Sequence, residues 1–226
     1  MEIVPGIHQV DGVNGNSYVI ARDRITVVDT GIPGSGRKIL AYIKAALHRE
    51  PGEIGTIVIT HFHMDHTSGI AVIKKAAPGA RLAVHEADAP YVSGKTGAPR
   101  HRGAKGMLLH VVESAIGPEP VEPDVILKDG DTIDGLTCIH IPGHTPGSIA
   151  LLDEATGTLF CGDILRYDGK TLAESPAGFT MDLAMSRESI RKLATLDFDC
   201  LLPGHGVPLK PKASKKVGEF AKSIGD

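Results

Sequence analysis

The sequence predicts a mixed α/β fold, with mixed β-sheets and helices packed outside them, and three observations point to it. Short β-branched runs alternate with amphipathic runs of helical period, the order expected when helices cover a sheet. Some of the short runs are joined by turns instead of helices, so antiparallel hairpins are mixed with the crossovers. No Pro-, Ser- or charge-rich linker divides the 226 residues, so the chain reads as a single domain over 1–226. A chain of this mass buries roughly 70% of the surface its unfolded form exposes, enough for a core without staples.

Ser17 to Ala21 and Ile25 to Asp29 flank Arg22-Asp23-Arg24 and form a hairpin whose second arm ends in Asp29-Thr30-Gly31. From Arg37 to His48, Ile39, Leu40, Ile43, Ala46 and Leu47 recur at helical spacing until Pro51-Gly52 stops the run. Ile54 to Thr60 is a β-branched strand. Ile70 to Ala77 is a short helix that Thr67 or Ser68 caps and Pro78-Gly79 ends, and Arg81 to His85 is a further strand. Between 94 and 123 the rhythm breaks: Gly94, Gly97, Gly103, Gly106 and Gly117 bracket the apolar stretch Met107 to Ile116, read as a helix inserted into the fold. Strands follow at Val125 to Leu127 and Leu136 to Ile141, then a hairpin of Ser148 to Leu152 with Thr158 to Cys161. A helix runs from about Ser186 to Leu196, and a last strand, Cys200 to Leu202, leads into Pro203-Gly204-His205-Gly206.

With 42% hydrophobic and 23% charged residues, the composition excludes disorder and collagen. No apolar run reaches the roughly 18 residues of a membrane span, and the start lacks a basic segment followed by an apolar one, so a cytoplasmic protein off the membrane is expected. Twenty-four Lys and Arg against 27 Asp and Glu leave a net charge of -3, a poor footprint for general nucleic-acid binding. Cys138, Cys161 and Cys200 are odd in number and far apart, which excludes a disulfide framework and a C-x-x-C knuckle and leaves buried thiols. The outstanding count is eleven histidines, three of them between positions 61 and 66.

His61-Phe62-His63-Met64-Asp65-His66 follows a buried strand and precedes a helix, where α/β architectures place their sites. In an extended turn, side chains two apart share a side, so His61 and His63 converge on one ion while Phe62 and Met64 face the core. Asp65 and His66 are aimed at a neighbouring point. Imidazole nitrogen and carboxylate oxygen suit a borderline ion such as Zn²⁺.

The segment His61 to His66 resembles the H-x-H-x-D-H signature of the metallo-β-lactamase superfamily. Asp29-Thr30-Gly31, Pro142-Gly143-His144-Thr145-Pro146-Gly147, Phe160-Cys161-Gly162-Asp163 and Pro203-Gly204-His205-Gly206 resemble its other motifs, in the family's order. The resemblance implies an αββα sandwich of two mixed sheets with helices outside. It implies one metal held by His61, His63 and His144, a second by Asp65, His66 and His205, and Asp163 bridging them. Two zinc ions are the expected cofactors, with iron or manganese as alternatives, and Asp65 and Asp163 the expected catalytic residues. Two divalent ions, two carboxylates and a bridging hydroxide leave one positive charge, which favours hydroxide addition to a carbonyl. Asp29 reads either as an acceptor fixing the metal loop or as a turn residue. His8, His48, His85, His101, His110 and His140 read as surface or core residues, and Tyr167 as a loop aromatic in preference to a substrate contact.

A small-molecule thioester, lactone or other ester is the expected substrate class, resembling the glyoxalase II and lactonase branches in a short form without the extra C-terminal domain. A β-lactamase proper fits less well without a signal peptide, a nuclease without a basic surface, and a flavodiiron protein because His63 stands where that branch has Glu. Two alternatives of other classes stand beside hydrolysis: a mononuclear iron persulfide dioxygenase, and a metal-binding module without catalysis. The 94–123 segment is expected to act as a lid, to form a homodimer contact, or to dock on its own core.

Overall fold

The computed structural model describes residues 1–97 and 117–225. They belong to two units, Met1–Ile126 and Leu127–Asp226. The first opens with β1 (Glu2–Val4), β2 (Ile7–Gln9), β3 (Tyr18–Ala21) and β4 (Ile25–Val28), antiparallel neighbours throughout. The three residues after Ala21 close the expected hairpin, with Ala21 opposite Ile25. Helix α1 (Ser35–Leu47) then carries the chain to β5 (Ile54–Ile59), and α2 (Met64–Thr67) with α3 (Ile70–Ala76) carries it to β6 (Arg81–His85). Those crossovers make β4, β5 and β6 parallel, because a parallel partner cannot be reached by a tight turn. After α4 (Ala89–Val92), β7 (Val125–Leu127) completes a seven-stranded sheet in the order β1 to β7.

Ile39 and Ile43 of α1 and Ile70 and Ile73 of α3 pack on Val27, Ile57, Ile59, Leu82 and Val84. Val28, Val58 and Ala83, which point to the other face, are buried as well. Burial on both faces explains why these strands read as continuous apolar runs without alternation.

In the second unit β8 (Thr132–Ile133), β9 (Leu136–His140), β10 (Ile149–Asp153) and β11 (Thr158–Gly162) are antiparallel neighbours. The hairpin β12 (Leu165–Tyr167) and β13 (Leu172–Glu174), followed by α5 (Leu183–Leu193), leads to β14 (Cys200–Pro203), which pairs parallel to β11. The sheet order is β14-β11-β10-β9-β8. Helix α6 (Ala213–Ser223) packs with α5 on the face carrying Ile139, Ala150, Leu152, Leu159 and Leu201, through Val217, Ala213, Ile190 and Leu193.

Three local expectations are corrected. Helix α5 starts at Leu183, ahead of Ser186, because the Asp182 carboxylate accepts the Met185 N–H at 3.0 Å and caps it. Gly69, not Thr67 or Ser68, precedes α3; the two hydroxyls donate backward to the carbonyls of His63 (3.0 Å) and Met64 (2.6 Å). Met64 is only half-buried, since it opens a helical turn where an extended turn with Met64 facing the core is expected. The expected helix Met107 to Ile116 lies outside the described residues; at its flanks, Val121 N–H donates to Val92 O at 3.1 Å and Lys95 pairs with Glu122 at 2.6 Å. Among the described residues, no helix is long and apolar enough to cross a membrane.

Candidate metal centre

In the first unit the site is built where β5 ends. Thr60 and His61 leave the strand fully buried, His63 ends the extended stretch, and Asp65 and His66 sit on the single turn of α2. The rings of His61 and His63 lie 4.8 Å apart and those of His61 and His66 4.1 Å apart. His66 Nε2 stands 3.7 Å from Asp65 Oδ2.

Asp29 organises this half. It is 2% exposed, with left-handed backbone at φ 59° that an Asp tolerates better than most side chains. Its Oδ1 accepts the Thr60 N–H at 2.8 Å, and its Oδ2 accepts the Thr60 hydroxyl at 2.7 Å and His66 Nδ1–H at 2.8 Å. Because the Thr60 proton goes to the carboxylate, Thr60 Oγ1 is an acceptor toward His61 Nδ1, 3.1 Å away. One carboxylate thus places the proton of both His61 and His66 on Nδ1 and leaves the lone pair on Nε2, the tautomer a metal ligand needs. Of the two readings of Asp29, these contacts match the acceptor that fixes the loop.

Further contacts hold the loop's backbone. The fully buried Asp88 accepts the Phe62 N–H at 2.9 Å, and Phe62 stacks on Tyr91 with centroids 4.3 Å apart. Thr30 donates its hydroxyl to His66 O at 2.8 Å. Gly15, at φ 70°, lies so close that an added Cβ would come 2.0 Å from Asp65 O.

In the second unit, His144 sits in a loop braced from both sides. An added Cβ on Gly143 would lie 2.2 Å from Ser186 N, so the loop seats directly on the first turn of α5. Ser189 Oγ donates to Pro142 O at 2.7 Å, Asp182 N–H to Gly143 O at 2.9 Å and Met181 N–H to His144 O at 3.2 Å. On the other side Thr145 N–H donates to Ser148 Oγ at 3.0 Å, and His140 Nε2 lies 2.9 Å from Pro146 O. Asp163 follows the end of β11, and Gly204 N–H, donating to Gly162 O at 2.7 Å, draws the loop of His205 beside it. Asp163 Oδ2 lies 3.7 Å from His144 Nε2 and 3.2 Å from His205 Nε2.

The donors fit metal ions. Two ligands at about 2.0–2.2 Å from one tetrahedral ion are separated by roughly 3.4 Å. The nitrogen-to-oxygen spacings of 3.7, 3.7 and 3.2 Å at Asp65 and Asp163 bracket that edge. His66 and His144 are at most 1% exposed, so these are built donors and not a histidine-rich surface.

His101 and His110 lie outside the described residues. Cys138, Cys161 and Cys200 are free, buried thiols. Tyr167 donates its hydroxyl to Gly169 O at 2.9 Å and carries Lys216 Nζ 5.8 Å from its ring centre, so it serves its own hairpin and α6. His8 contacts Tyr42 Oη at 3.2 Å, and His140 holds the loop of His144 by hydrogen bonding. The sequence reading missed Thr60, Asp88 and Ser148. Thr60 stands next to the motif and could have been found; the other two carry no local signal.

With this geometry in place, residues 10–205 match the family model described as "Metallo-beta-lactamase superfamily", and the chain belongs to that superfamily as a metal-binding hydrolase. It is 28% identical to "Probable metallo-hydrolase YflN" of Bacillus subtilis (strain 168), over 93% of this chain and 88% of that protein. It is 31% identical to "Acyl-coenzyme A thioesterase MBLAC2" of Homo sapiens, over 66% of this chain and 54% of that protein. A solved structure titled "Crystal structure of TTHA1623 in a di-iron-bound form" superposes with a TM-score of 0.66 at 21% identity, covering 96% of each chain, and shows the shared fold.

Proposed function

We propose that the protein is a dinuclear metal-dependent hydrolase of small carbonyl substrates: thioesters, lactones or other esters. His61, His63 and His144 would hold one ion, Asp65, His66 and His205 the second, with Asp163 shared. The observation that carries this reading is the single oxygen Asp163 Oδ2 at ligand-edge distance from both His144 and His205, the posture of a bridging carboxylate. Zinc is the proposed metal, since imidazole-rich donors favour it over manganese or magnesium, and iron is the alternative.

Bound ions of this kind lower the pKa of water toward neutrality and polarise a carbonyl oxygen. The chain's own residues set the conditions for that chemistry. Asp29 and Thr60 keep the His61 and His66 lone pairs on Nε2. Asp65 and Asp163 supply two negative charges, fewer than two divalent ions bring, so the centre stays positive and favours a transition state that gains negative charge. The relative named as an acyl-coenzyme A thioesterase supports a thioester within the substrate class.

The test is a screen of metal-replete protein against thioesters, lactones, β-lactams and phosphodiesters. Turnover of a thioester, lactone or ester that a chelator abolishes and added metal restores is expected. Metal-replete protein that turns over none of them, or that instead consumes oxygen with a persulfide, overturns the proposal.

A further inference from the structure

Six large hydrophobic side chains are exposed among the described residues, and three of them fall within seven residues of chain: Phe179 (52% exposed), Met181 (47%) and Met185 (42%). They take no part in the apolar cluster that α5 and α6 form on their sheet. The backbone that carries them is held firmly. Phe179 N–H donates to Pro176 O at 2.9 Å, and Asp182 caps the helix on which Met185 sits. Met181 N–H donates to the carbonyl of His144, and Asp182 N–H to that of Gly143. The apolar groups are therefore fastened to the loop of a metal-ligand candidate.

Scattered apolar side chains on a surface are ordinary, whereas apolar groups gathered in one place mark recognition or ligand-binding sites, and these three share one short segment. Two thioethers and a phenyl ring suit a flexible hydrocarbon, because methionine adapts its shape and the ring offers a broad face. The neighbouring Arg187 is paired with Glu174 at 3.1 Å, so the patch is read by apolar and not ionic chemistry. The backbone bonds of Met181 and Asp182 to the loop of His144 set this apolar segment next to a candidate ligand, within reach of an acyl chain that extends from a carbonyl held there.

We propose that Phe179, Met181 and Met185 form the platform on which the acyl chain of the substrate lies, making medium-length, unbranched acyl esters or thioesters preferred over acetyl ones. This rests on the hydrolase reading above and specifies its substrate.

The experiment compares kcat/KM of metal-replete protein for p-nitrophenyl acetate, butyrate, hexanoate and octanoate with that of the triple variant Phe179→Ser, Met181→Gln, Met185→Gln. A fully enclosed methylene contributes about fourfold, and one lying on an open surface about half of that free energy, or roughly twofold. Octanoate should then exceed butyrate roughly fifteenfold in the wild type, and the variant should flatten the ratio to about twofold. Methyl-labelled methionine NMR gives a readout without turnover: the Met181 and Met185 signals should shift saturably with octanoate and not with acetate. Hydrolysis with no dependence on chain length, or signals unmoved by octanoate, overturns the platform and leaves the hydrolase standing. A dimer in solution that the triple variant converts to monomer assigns the patch to a second copy and overturns it too. Failure to hydrolyse any ester or thioester overturns the functional reading and this inference with it.

Discussion

Replacing Asp29 with Asn isolates the role of one carboxylate. Asparagine has the same shape and tolerates the left-handed backbone at φ 59°, so the turn survives. Its carbonyl oxygen can keep the Thr60 N–H bond now 2.8 Å long. Its NH₂ group, however, takes the place of Oδ2, which accepts from Thr60 Oγ1 at 2.7 Å and His66 Nδ1 at 2.8 Å. A donor there favours the His66 tautomer with its proton on Nε2, and it frees the Thr60 hydroxyl to turn its own proton toward His61. Both ligands then lose part of their lone-pair population. Outer contacts to metal-binding histidines are worth about 10- to 100-fold in affinity, which is about 1.4–2.7 kcal/mol. Competition with a chromophoric zinc chelator should show a loss in that range. The two altered hydrogen bonds, to a charged acceptor, should also lower the stability of metal-free protein by about 2 kcal/mol or more in urea. Affinity unchanged within threefold in a folded Asp29→Asn variant would refute the reasoning and leave Asp29 as a turn residue.

Asp163→Asn should release one metal first and cut turnover by orders of magnitude while the circular dichroism stays native, because a neutral amide shields two like charges poorly; elemental analysis beside activity checks it. Gly15→Ala should lower the urea midpoint and weaken metal binding together, since its methyl would meet Asp65 O at 2.0 Å from a backbone at φ 70°. The thiols should resist Ellman's reagent in native protein at pH 8 and react on unfolding, because burial pushes Cys138 up to about 12 and Cys200 up to about 11. For Cys138 the raised value means that its contribution to stability is complete below the unfolded value of 9.0 and is lost as pH climbs through about 12, which unfolding curves at pH 8 and pH 10.5 should register.

What the sequence shows plainly is local. His61, His63, Asp65 and His66 are readable because their spacing is short and they follow a β-branched run that ends at Ile59. The strands around them are readable because burial on both faces leaves uninterrupted Ile, Val and Leu. Helix α6 escaped notice because its stripe, Ala213, Val217 and Ala221, is small and set among lysines, so its apolar contrast is weak. The start of α5 reads late from sequence because Leu183, Ala184 and Met185 look like loop until Asp182 is seen to cap them. Asp88 and Ser148 were illegible for another reason. Asp88 acts on Phe62, 26 residues away, and a bond of that kind leaves no periodic trace. Asp29 itself is half legible: its motif is visible, but only the geometry shows one carboxylate addressing two imidazoles, His66 directly and His61 through Thr60.

The seven donors His61, His63, Asp65, His66, His144, Asp163 and His205 are proposed to hold a pair of ions. Elemental analysis of protein purified without added metal or chelator, repeated after saturation with zinc and removal of excess, tests this most directly. Two ions per chain are the expected limit. A reproducible limit of one under saturating conditions would contradict it.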